Sequence, residues 1–270
     1  MMRVLITGAG TGIGRACALH LAEKGFDVIA AGRRAEPLES VAAEAKGVVR
    51  VQTLDVTDPA SIEAAMPAIS PVEGLINNAG VSVMGPVEAV GLDEWRRQFE
   101  VNVFGAANMI RAVLPQMRQR RAGRIVQIGS VTGRVVPPFM GTYGSSKHAL
   151  EGMSDALRRE VADYGIKVSV IRPGFVRTDF GDQEQASLAK HRLPDYAEHQ
   201  DQFAKWHHEN GHKVAPDPIC VAIAAEKALT APNPRTRYAV PRSAIQNIGL
   251  RTFLPAPLVD TVINRIIRKS

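Results

Sequence analysis

A tyrosine and a lysine four residues apart form a pair whose side chains could act together on a bound molecule. Tyr143 and Lys147 belong to the stretch TYGSSKH at 142–148, where a helical pattern begins. Residues four apart share a helix face, so the phenol and the ammonium group can meet. A free phenol has a pKa of about 10 and is a poor acid or base at neutral pH, but a nearby cation favours the phenolate. The pair fits proton transfer, and it also fits an ordinary exposed pair on an amphipathic helix.

A glycine-rich turn near the start of the chain is the second candidate. TGAGTGIG at 7–14 does not fit the pattern G-x-G-x-x-G, because position 13 is isoleucine; it fits G-x-x-x-G-x-G through Gly8, Gly12 and Gly14. Glycines let the backbone turn sharply and approach a pyrophosphate, whose charge lies at the positive N-terminus of the next helix. The turn lies between an apolar strand and a helix, and this placement favours a nucleotide site.

Short apolar runs alternate with helical patterns along most of the chain and would position these motifs. This alternation is typical of βαβ units and a parallel sheet. The predicted strands cover 4–7, 27–31, 48–54, 74–77, 124–129, 167–173 and the region near 237–240. The predicted helices cover 13–24, 92–119, 141–164 and 216–229. One domain, 1–270, is the economical interpretation: a core to residue 178, a polar segment 179–215, and a last helix, strand and apolar extension over 216–270.

Composition and charge exclude other classes of protein. The two cysteines, Cys17 and Cys220, are far apart, so neither a disulfide framework nor a zinc site is predicted, which fits a reducing cytoplasm. No run of about eighteen apolar residues predicts a membrane span, and the first residues are too short a stretch for a signal peptide. The net charge is +6, but its densest basic run, 118–124, ends a predicted helix and accompanies no nucleic-acid motif.

Further motifs occur in an order that resembles one known family, the short-chain dehydrogenase/reductases. They are TGAGTGIG, DVT (55–57), NNAG (77–80), FEVNVFG (99–105), IGS (128–130), YGSSK (143–147) and RPGFVRT (172–178). The resemblance covers nearly all of residues 3–240. It implies an α/β fold, a Rossmann-type doubly wound parallel sheet of about seven strands with helices on both faces and a C-terminal helical extension. It also implies an enzyme that transfers hydride between a nicotinamide cofactor and a hydroxyl/carbonyl pair.

The resemblance assigns catalytic roles to four residues. Tyr143 would be the acid–base, with its pKa lowered by Lys147 and by the oxidised nicotinamide. Lys147 would also bind the nicotinamide ribose, Ser130 would donate to the substrate oxygen, and Asn102 would bend the long helix and anchor a proton-relaying water. The alternatives without a catalytic role are a helix-capping serine, a surface asparagine and an ion-pairing lysine.

The resemblance also implies the cofactor contacts. These are the turn itself and residues after later strands: Gly8, Thr11, Gly12, Ile13, Gly14, Asp55, Val56, Asn78, Ala79, Gly80, Pro173, Gly174, Val176 and Thr178. An acidic residue after the second strand would bind the ribose hydroxyl of NAD, whereas arginine accommodates the phosphate of NADP. This chain has Gly32 there, followed by Arg33 and Arg34. NADP(H) is preferred and NAD(H) remains possible; two solvated loop arginines are the alternative.

Five of the seven histidines lie in the polar segment 179–215 and invite a metal hypothesis. Gly211 would interrupt a helix before His212, and no acidic cluster completes a ligand set. Solvated residues of a mobile substrate lid are preferred, and no metal is predicted.

The substrate is expected to be a lipophilic alcohol or ketone, because the sequence most resembles the branch that acts on steroids and retinoids. Ser130, Tyr143, Phe139 and Phe175 are the proposed contacts, among further apolar residues at Val81, Val83, Val135, Val136, Met140 and Phe180. A compact aldehyde or sugar is the alternative.

The apolar residues of the tail predict an amphipathic helix: Leu258, Val259, Val262, Ile263, Ile266 and Ile267 fall on one face. Packing on the body or a second subunit is preferred, and contact with a membrane surface is the minority hypothesis. A homodimer or homotetramer is expected by resemblance. A β-ketoacyl carrier-protein reductase and a non-catalytic regulatory protein on the same fold are the rival functions.

Overall fold

The computed structural model describes residues 1–241, 244 and 254–269, with 212, 213 and 269 as backbone alone. Within this part of the chain, seven parallel strands form one sheet in the order β3-β2-β1-β4-β5-β6-β7. The strands are β1 (Arg3–Thr7), β2 (Asp27–Gly32), β3 (Val49–Thr53), β4 (Gly74–Asn77), β5 (Gly123–Ile128), β6 (Ile166–Pro173) and β7 (Arg237–Val240). The strand order reverses between β1 and β4, as in a doubly wound sheet, so the predicted fold is confirmed.

Helices cover both faces of the sheet. They are α1 (Gly12–Glu23), α2 (Ala35–Glu44), α3 (Pro59–Ile69), α4 (Leu92–Phe99), α5 (Ala106–Arg120), α6 (Gly141–Glu160), α7 (Phe180–Lys190), α8 (Ala197–His208), α9 (Ile219–Thr230) and α10 (Ala256–Lys269). Strand residues alternate between the two layers. Val4 and Ile6 pack with residues of α1 and α9, while Leu5 packs with residues of α3 and α5. Burial on both faces explains why the central strands are continuous apolar runs.

Several predicted helices differ from the observed ones. The helix predicted over 92–119 contains a π-helical segment, Glu100–Gly105, between α4 and α5, and the helix predicted to 164 ends at Glu160 before a short 3₁₀ turn. Helices α2 and α3 were not predicted from the pattern. The polar segment 179–215 contains α7 and α8, so it is largely helical.

The C-terminal helix packs on the body of the protein. Val259 and Ile267 of α10 are buried, and Ile267 joins a small apolar cluster with Phe203, Leu188 and Tyr143. On the same helix, Leu258 and Ile266 are exposed. In the part of the chain that is described, no helix combines the length and apolarity that crossing a bilayer requires.

Candidate active site

A cavity of about 810 Å³ lies at the carboxyl ends of the central strands. The turn after β1, the loops after β4, β5 and β6, and the helices α7, α8 and α10 form its walls. The carboxyl ends of parallel strands beside a reversal of strand order are where ligands bind in such sheets. The sequence motifs named above therefore meet at one edge of the sheet.

The glycine turn has the backbone geometry that its sequence predicts. Gly8 and Gly12 adopt positive φ angles of 64° and 54°, a region that favours glycine. Gly8, Thr11, Gly12 and Ile13 border the cavity. Gly14 does not border it: a Cβ at that position would lie 2.2 Å from the Gly8 carbonyl oxygen. Gly8, Thr11, Gly12 and Ile13 can approach a ligand, whereas Gly14 allows close packing of α1 on the turn.

Hydrogen bonds join this turn to the loop after β4. The Asn78 side chain donates from Nδ2 to the carbonyl oxygens of Thr7 (2.9 Å) and Gly8 (3.1 Å). The Thr7 hydroxyl accepts from the backbone amides of Asn78 and Ala79, each at 3.0 Å. Asn78, Ala79 and Gly80 all border the cavity. Asn78 therefore holds two walls of the cavity together, a role that goes beyond the predicted contact with a cofactor.

Asn102 is buried in the π-helical segment and does not border the cavity. Its Oδ1 accepts from the Val81 amide at 2.8 Å, and its Nδ2 donates to the Val81 carbonyl oxygen at 3.0 Å and to Ser146 Oγ at 3.1 Å. Gln98, one turn earlier, bonds the backbone of Val81 and Val83 in the same manner. Gln98 was not singled out in the sequence, because an isolated glutamine in an amphipathic helix carries no local signal.

Ser130, Tyr143 and Lys147 lie together at the inner part of the cavity. The Ser130 Oγ accepts from the backbone amide of Thr132 at 3.1 Å and from its hydroxyl at 2.8 Å. Ser130 is close enough to Tyr143 for its hydroxyl to favour the phenolate and so to oppose a rise in the Tyr143 pKa. Lys147 donates from Nζ to the Ile128 carbonyl oxygen at 2.8 Å, and this Nζ lies 5.6 Å from the centre of the Tyr143 ring. The i, i+4 pair is thus buried within α6, so the alternative of an exposed pair does not apply.

The pKa values of the pair differ from the expectation. Burial, together with the negative charge of Glu184, raises the pKa of Tyr143 above its usual value, and the Ser130 hydroxyl opposes this only in part. Burial lowers the pKa of Lys147 from 10.5 to about 8. The protein's own residues therefore do not produce the predicted lowering of the Tyr143 pKa, because loss of solvent on burial is the largest influence and it favours the neutral phenol.

Positive charge lies at the opposite end of the cavity. Arg33 and Arg34 follow Gly32 at the end of β2, and both border the cavity with exposed side chains. Asp55 and Val56 border it beside them. Asp27 lies at the other end of β2, where it pairs with Arg3 at 2.7 Å and Arg50 at 3.0 Å, and cannot reach this site.

The loop after β6 forms another wall of the cavity. Pro173, Gly174, Phe175, Val176 and Thr178 all border it. Phe139, predicted as a substrate contact, does not. It has a positive φ of 64° and its ring packs 5.5 Å from Phe203 and 6.4 Å from Tyr196, away from the cavity. Val83 and Val136 also lie outside the cavity lining.

Two histidines of the lid segment, His191 and His207, differ from the prediction that the lid histidines are solvated. His191 is buried, and its Nε2 lies 2.7 Å from Glu94. His207 is buried, and its Nε2 lies 3.1 Å from Glu184 Oε2. His199 and His208 are exposed, and the side chain of His212 lies outside the described residues. Among the described residues, no group of three or more potential ligands could bind a metal ion.

Comparison with known proteins decides the family. A family model described as "short chain dehydrogenase" matches residues 2–189. The chain belongs to the short-chain dehydrogenase family. This short-chain dehydrogenase is an oxidoreductase that acts on alcohols and carbonyls, and it is 35% identical over 284 residues to retinol dehydrogenase 5 of Homo sapiens. That alignment covers 98% of this chain and 89% of the relative.

Other relatives and structures of the family give the same result. NADPH-dependent 3-dehydrocapnine reductase of Ornithobacterium rhinotracheale is 30% identical, over 100% of this chain and 98% of its own. The crystal structure of a short-chain dehydrogenase from Streptomyces avermitilis superposes with a TM-score of 0.81 at 31% identity, over 98% of this chain and 96% of that one. A serine dehydrogenase complexed with NADP⁺ superposes with a TM-score of 0.77 at 28% identity, covering 88% of this chain and 94% of that chain. A cavity with a glycine turn at one end and a phenol, an ammonium and a hydroxyl at the other fits a nicotinamide dinucleotide.

Proposed function

We propose that this short-chain dehydrogenase transfers hydride between NADP(H) and the hydroxyl/carbonyl pair of a lipophilic substrate. The observation that carries the proposal is the burial of Ser130, Tyr143 and Lys147 together at the inner part of a cavity that extends to the glycine turn and two arginines. A regulatory protein would not need a phenol held between a hydroxyl and an ammonium in such a cavity.

The bound nicotinamide would supply or accept the hydride. In the direction of reduction, Ser130 and Tyr143 bind the carbonyl oxygen of the substrate, and Tyr143 gives its proton to that oxygen as the alcohol forms. The raised pKa of Tyr143 suits this direction, because it keeps the phenol protonated until charge develops on the oxygen. Lys147 holds a positive charge beside the phenol, and Asn102 fixes the loop that contains Val81.

Arg33 and Arg34 support NADP(H) over NAD(H). A guanidinium at the end of β2 can form charge-assisted hydrogen bonds with a phosphate on the adenosine ribose. Gly32 provides no carboxylate for a ribose hydroxyl. The solved relatives include one complexed with NADP⁺ and one, from Burkholderia phymatum, in complex with NAD, so the family alone does not decide the preference.

The substrate wall is mainly apolar and supports a lipophilic ketone or alcohol. Val81, Val135, Met140, Phe175 and Phe180 border the cavity, and α10 adds Val259, Val262, Ile263, Ile266 and Ile267. A relative that is 39% identical over 72% of this chain is a 3-ketodihydrosphingosine reductase, and another is a retinol dehydrogenase. A long apolar substrate buries more surface in such a cavity than a small aldehyde or a sugar would. A β-ketoacyl or small-carbonyl reductase is the alternative.

Residues 179–215 and α10 act in this proposal as the lid and the flank of the entrance. The exposed Leu258 and Ile266, with Arg265 and Arg268 on the same helix, support peripheral contact with an anionic membrane surface from which such a substrate would enter.

The unpaired Cys17 and Cys220 support a reducing compartment, and the cytoplasm is the proposed location.

A screen of ketones and alcohols with NADPH and NADH, followed by absorbance, tests the function. We expect NADPH-dependent reduction of a steroid ketone with kcat/KM well above that of a small polar ketone. A chain cut before Leu254 should lose much of the preference, while its activity on the small ketone is retained. A clear preference for the small polar ketone in the full chain would contradict the lipophilic assignment and leave the reaction class standing.

A further inference from the structure

The wall of the cavity that α7 and α8 form contains a buried carboxylate. Glu184 on α7 and His207 on α8 both border the cavity, and both are more than nine-tenths buried. The proposed hydride transfer uses neither residue. Burying a charged group is costly unless a partner compensates for it. The partners that Glu184 has in the protein therefore indicate which group of a ligand it could bind.

The hydrogen bonds of His207 show which of its ring nitrogens faces Glu184. Gln185 Nε2 lies 3.3 Å from His207 Nδ1 and also donates to the Ala204 carbonyl oxygen at 3.1 Å. An amide nitrogen donates and does not accept, so His207 Nδ1 is the acceptor. The ring hydrogen then lies on Nε2, which donates to Glu184 Oε2 at 3.1 Å. His207 therefore meets Glu184 as a hydrogen-bond donor, and among the described residues no lysine or arginine forms an ion pair with this carboxylate.

Glu184 lies close to the reacting groups. Phe180 and Glu184 are four residues apart on α7 and share one face of that helix. The Phe180 ring lies 6.2 Å from the Tyr143 ring, so Glu184 lies about one helical turn from that contact. The charge of Glu184 also contributes to the raised pKa of Tyr143, in agreement with this closeness.

We infer that Glu184, oriented by His207, binds a protonated amine that the lipophilic substrate carries next to its reacting carbonyl or hydroxyl. This inference rests on the proposed function and narrows its substrate class to lipophilic amino ketones and amino alcohols. An ammonium group supplies both the missing positive charge and a hydrogen-bond donor, whereas a hydroxyl supplies only the donor. The apolar chain of the substrate then lies along the wall of α10.

The test compares three long-chain ketones of equal length at neutral pH: one with an α-amino group, one with an α-hydroxyl group and one with neither. The unaltered protein should reduce the amino ketone with kcat/KM about ten- to hundredfold above that of the plain ketone, the range for a hydrogen bond to a charged group. Glu184→Gln keeps the shape and the bond to His207 but removes the charge. The ratio of kcat/KM for the amino ketone to kcat/KM for the plain ketone should fall to about one in this variant; because the lost charge also acts on Tyr143, the ratio is the readout and not the rate for either ketone alone.

Glu198→Gln is the matched control, because Glu198 is an exposed carboxylate on α8 that bonds Gln202 outside the cavity. It should leave all three ketones unchanged. A long-chain alkylammonium ion should inhibit reduction of the plain ketone by the unaltered protein, competitively with that ketone, and inhibit Glu184→Gln much less.

Equal kcat/KM for the amino and plain ketones in the unaltered protein would overturn the inference. An α-hydroxy ketone that is reduced with the same kcat/KM as the amino ketone would overturn it too. These comparisons decide the matter even if Glu184→Gln fails to fold. If no ketone is reduced with either cofactor, the proposed function itself fails; if the plain ketone is reduced and the amine adds nothing, only this inference fails.

Discussion

The ammonium group of Lys147 lies in a part of the site from which its neighbours exclude most water. Its pKa falls from 10.5 to about 8 on folding, so the folded protein releases this proton at a lower pH than the unfolded chain. Between about pH 8 and 10.5 the unfolded chain binds more protons, and the contribution of this group to stability therefore rises with pH. Below about pH 8 both states are protonated and the full cost of burial remains.

Lys147→Met removes that cost together with the charge. Relative to the unaltered protein, the variant should have its most favourable Tm difference near pH 7, and this difference should shrink toward about pH 10. The raised pKa values of Tyr143 and Cys17 act in the opposite direction, but both proteins share them. Melting curves recorded across this range decide the point, and curves that stay parallel would show that Lys147 is not buried as a cation.

Arg33 is the residue that selects the cofactor in this account. Arg33→Ala should raise the Kd for NADPH about ten- to hundredfold, the loss of a hydrogen bond to a charged group, while the Kd for NADH changes little. Arg96→Ala is the control, because Arg96 pairs with Asp93 on the exposed side of α4 and does not border the cavity. Equal weakening of both cofactors by Arg33→Ala would show that the arginine does not contact the distinguishing phosphate.

Among the elements, the turn from β1 into α1 is packed too closely to accept an added side chain at Gly14. A Cβ on Gly14 would lie 2.2 Å from the Gly8 carbonyl oxygen and 2.5 Å from Asn78 Nδ2. Gly14→Ala should therefore destabilise the protein by about 1–3 kcal/mol and weaken NADPH. The free energy of unfolding in urea and cofactor titration measure the two effects.

Gly152→Ala provides the opposite case on α6. Nothing lies within 4 Å of an added Cβ there, so the alanine should stabilise the helix by about 0.5–1 kcal/mol. If the two glycine substitutions have the same effect on stability, close packing at the turn is not what requires Gly14.

The elements that could be predicted from sequence are those with a strong local pattern. The central strands are buried on both faces, and this makes runs such as VLIT and GLIN conspicuous. The resemblance implied a bend of the long helix at Asn102, but the helical pattern alone did not show the π-helical segment there, because the Asn102 side chain bonds Val81 some twenty residues away. The burial of two lid histidines could not be predicted, because neither pair has a local sequence pattern: His191 contacts Glu94 on the distant helix α4, and His207 contacts Glu184 across two neighbouring helices of the lid.

At the scale of the whole molecule, the expected partner is a second copy of the chain. Phe104 is 52% exposed and Leu92 is 69% exposed, on the long helical region 92–119, and we expect this region to lie at the interface of the homodimer. Apolar surface of this kind is typical of an interface between subunits. Phe104→Glu would introduce a charge at this surface, whereas Val48→Glu changes an exposed apolar residue that precedes β3.

Light scattering at micromolar concentration should give a dimer or a tetramer for the unaltered protein. Phe104→Glu should shift it to smaller species, and Val48→Glu should not. A monomer for the unaltered protein, or dissociation by both variants alike, would contradict this arrangement.

The sequence predicted which residues meet at the site, but it did not predict the electrostatics of the site. Glycine, arginine, tyrosine and lysine carry their chemistry in residue type and spacing, so their place at one cavity followed from the motifs. The direction of the Tyr143 pKa did not, because it depends on burial and on Glu184, which the chain brings in from the lid. Phe139 was predicted to contact the substrate but packs on Phe203 instead, because Phe203 lies on a lid helix whose position the sequence did not show.

The central claim is that Tyr143 gives and takes the proton that accompanies hydride transfer. Tyr143→Phe keeps the ring and its packing but removes the hydroxyl. NADPH oxidation in the presence of a lipophilic ketone, followed by absorbance, should fall by a factor of about 10²–10⁴, while NADPH binds with a similar Kd. A Tyr143→Phe protein that turns over at a near-normal rate would contradict the account.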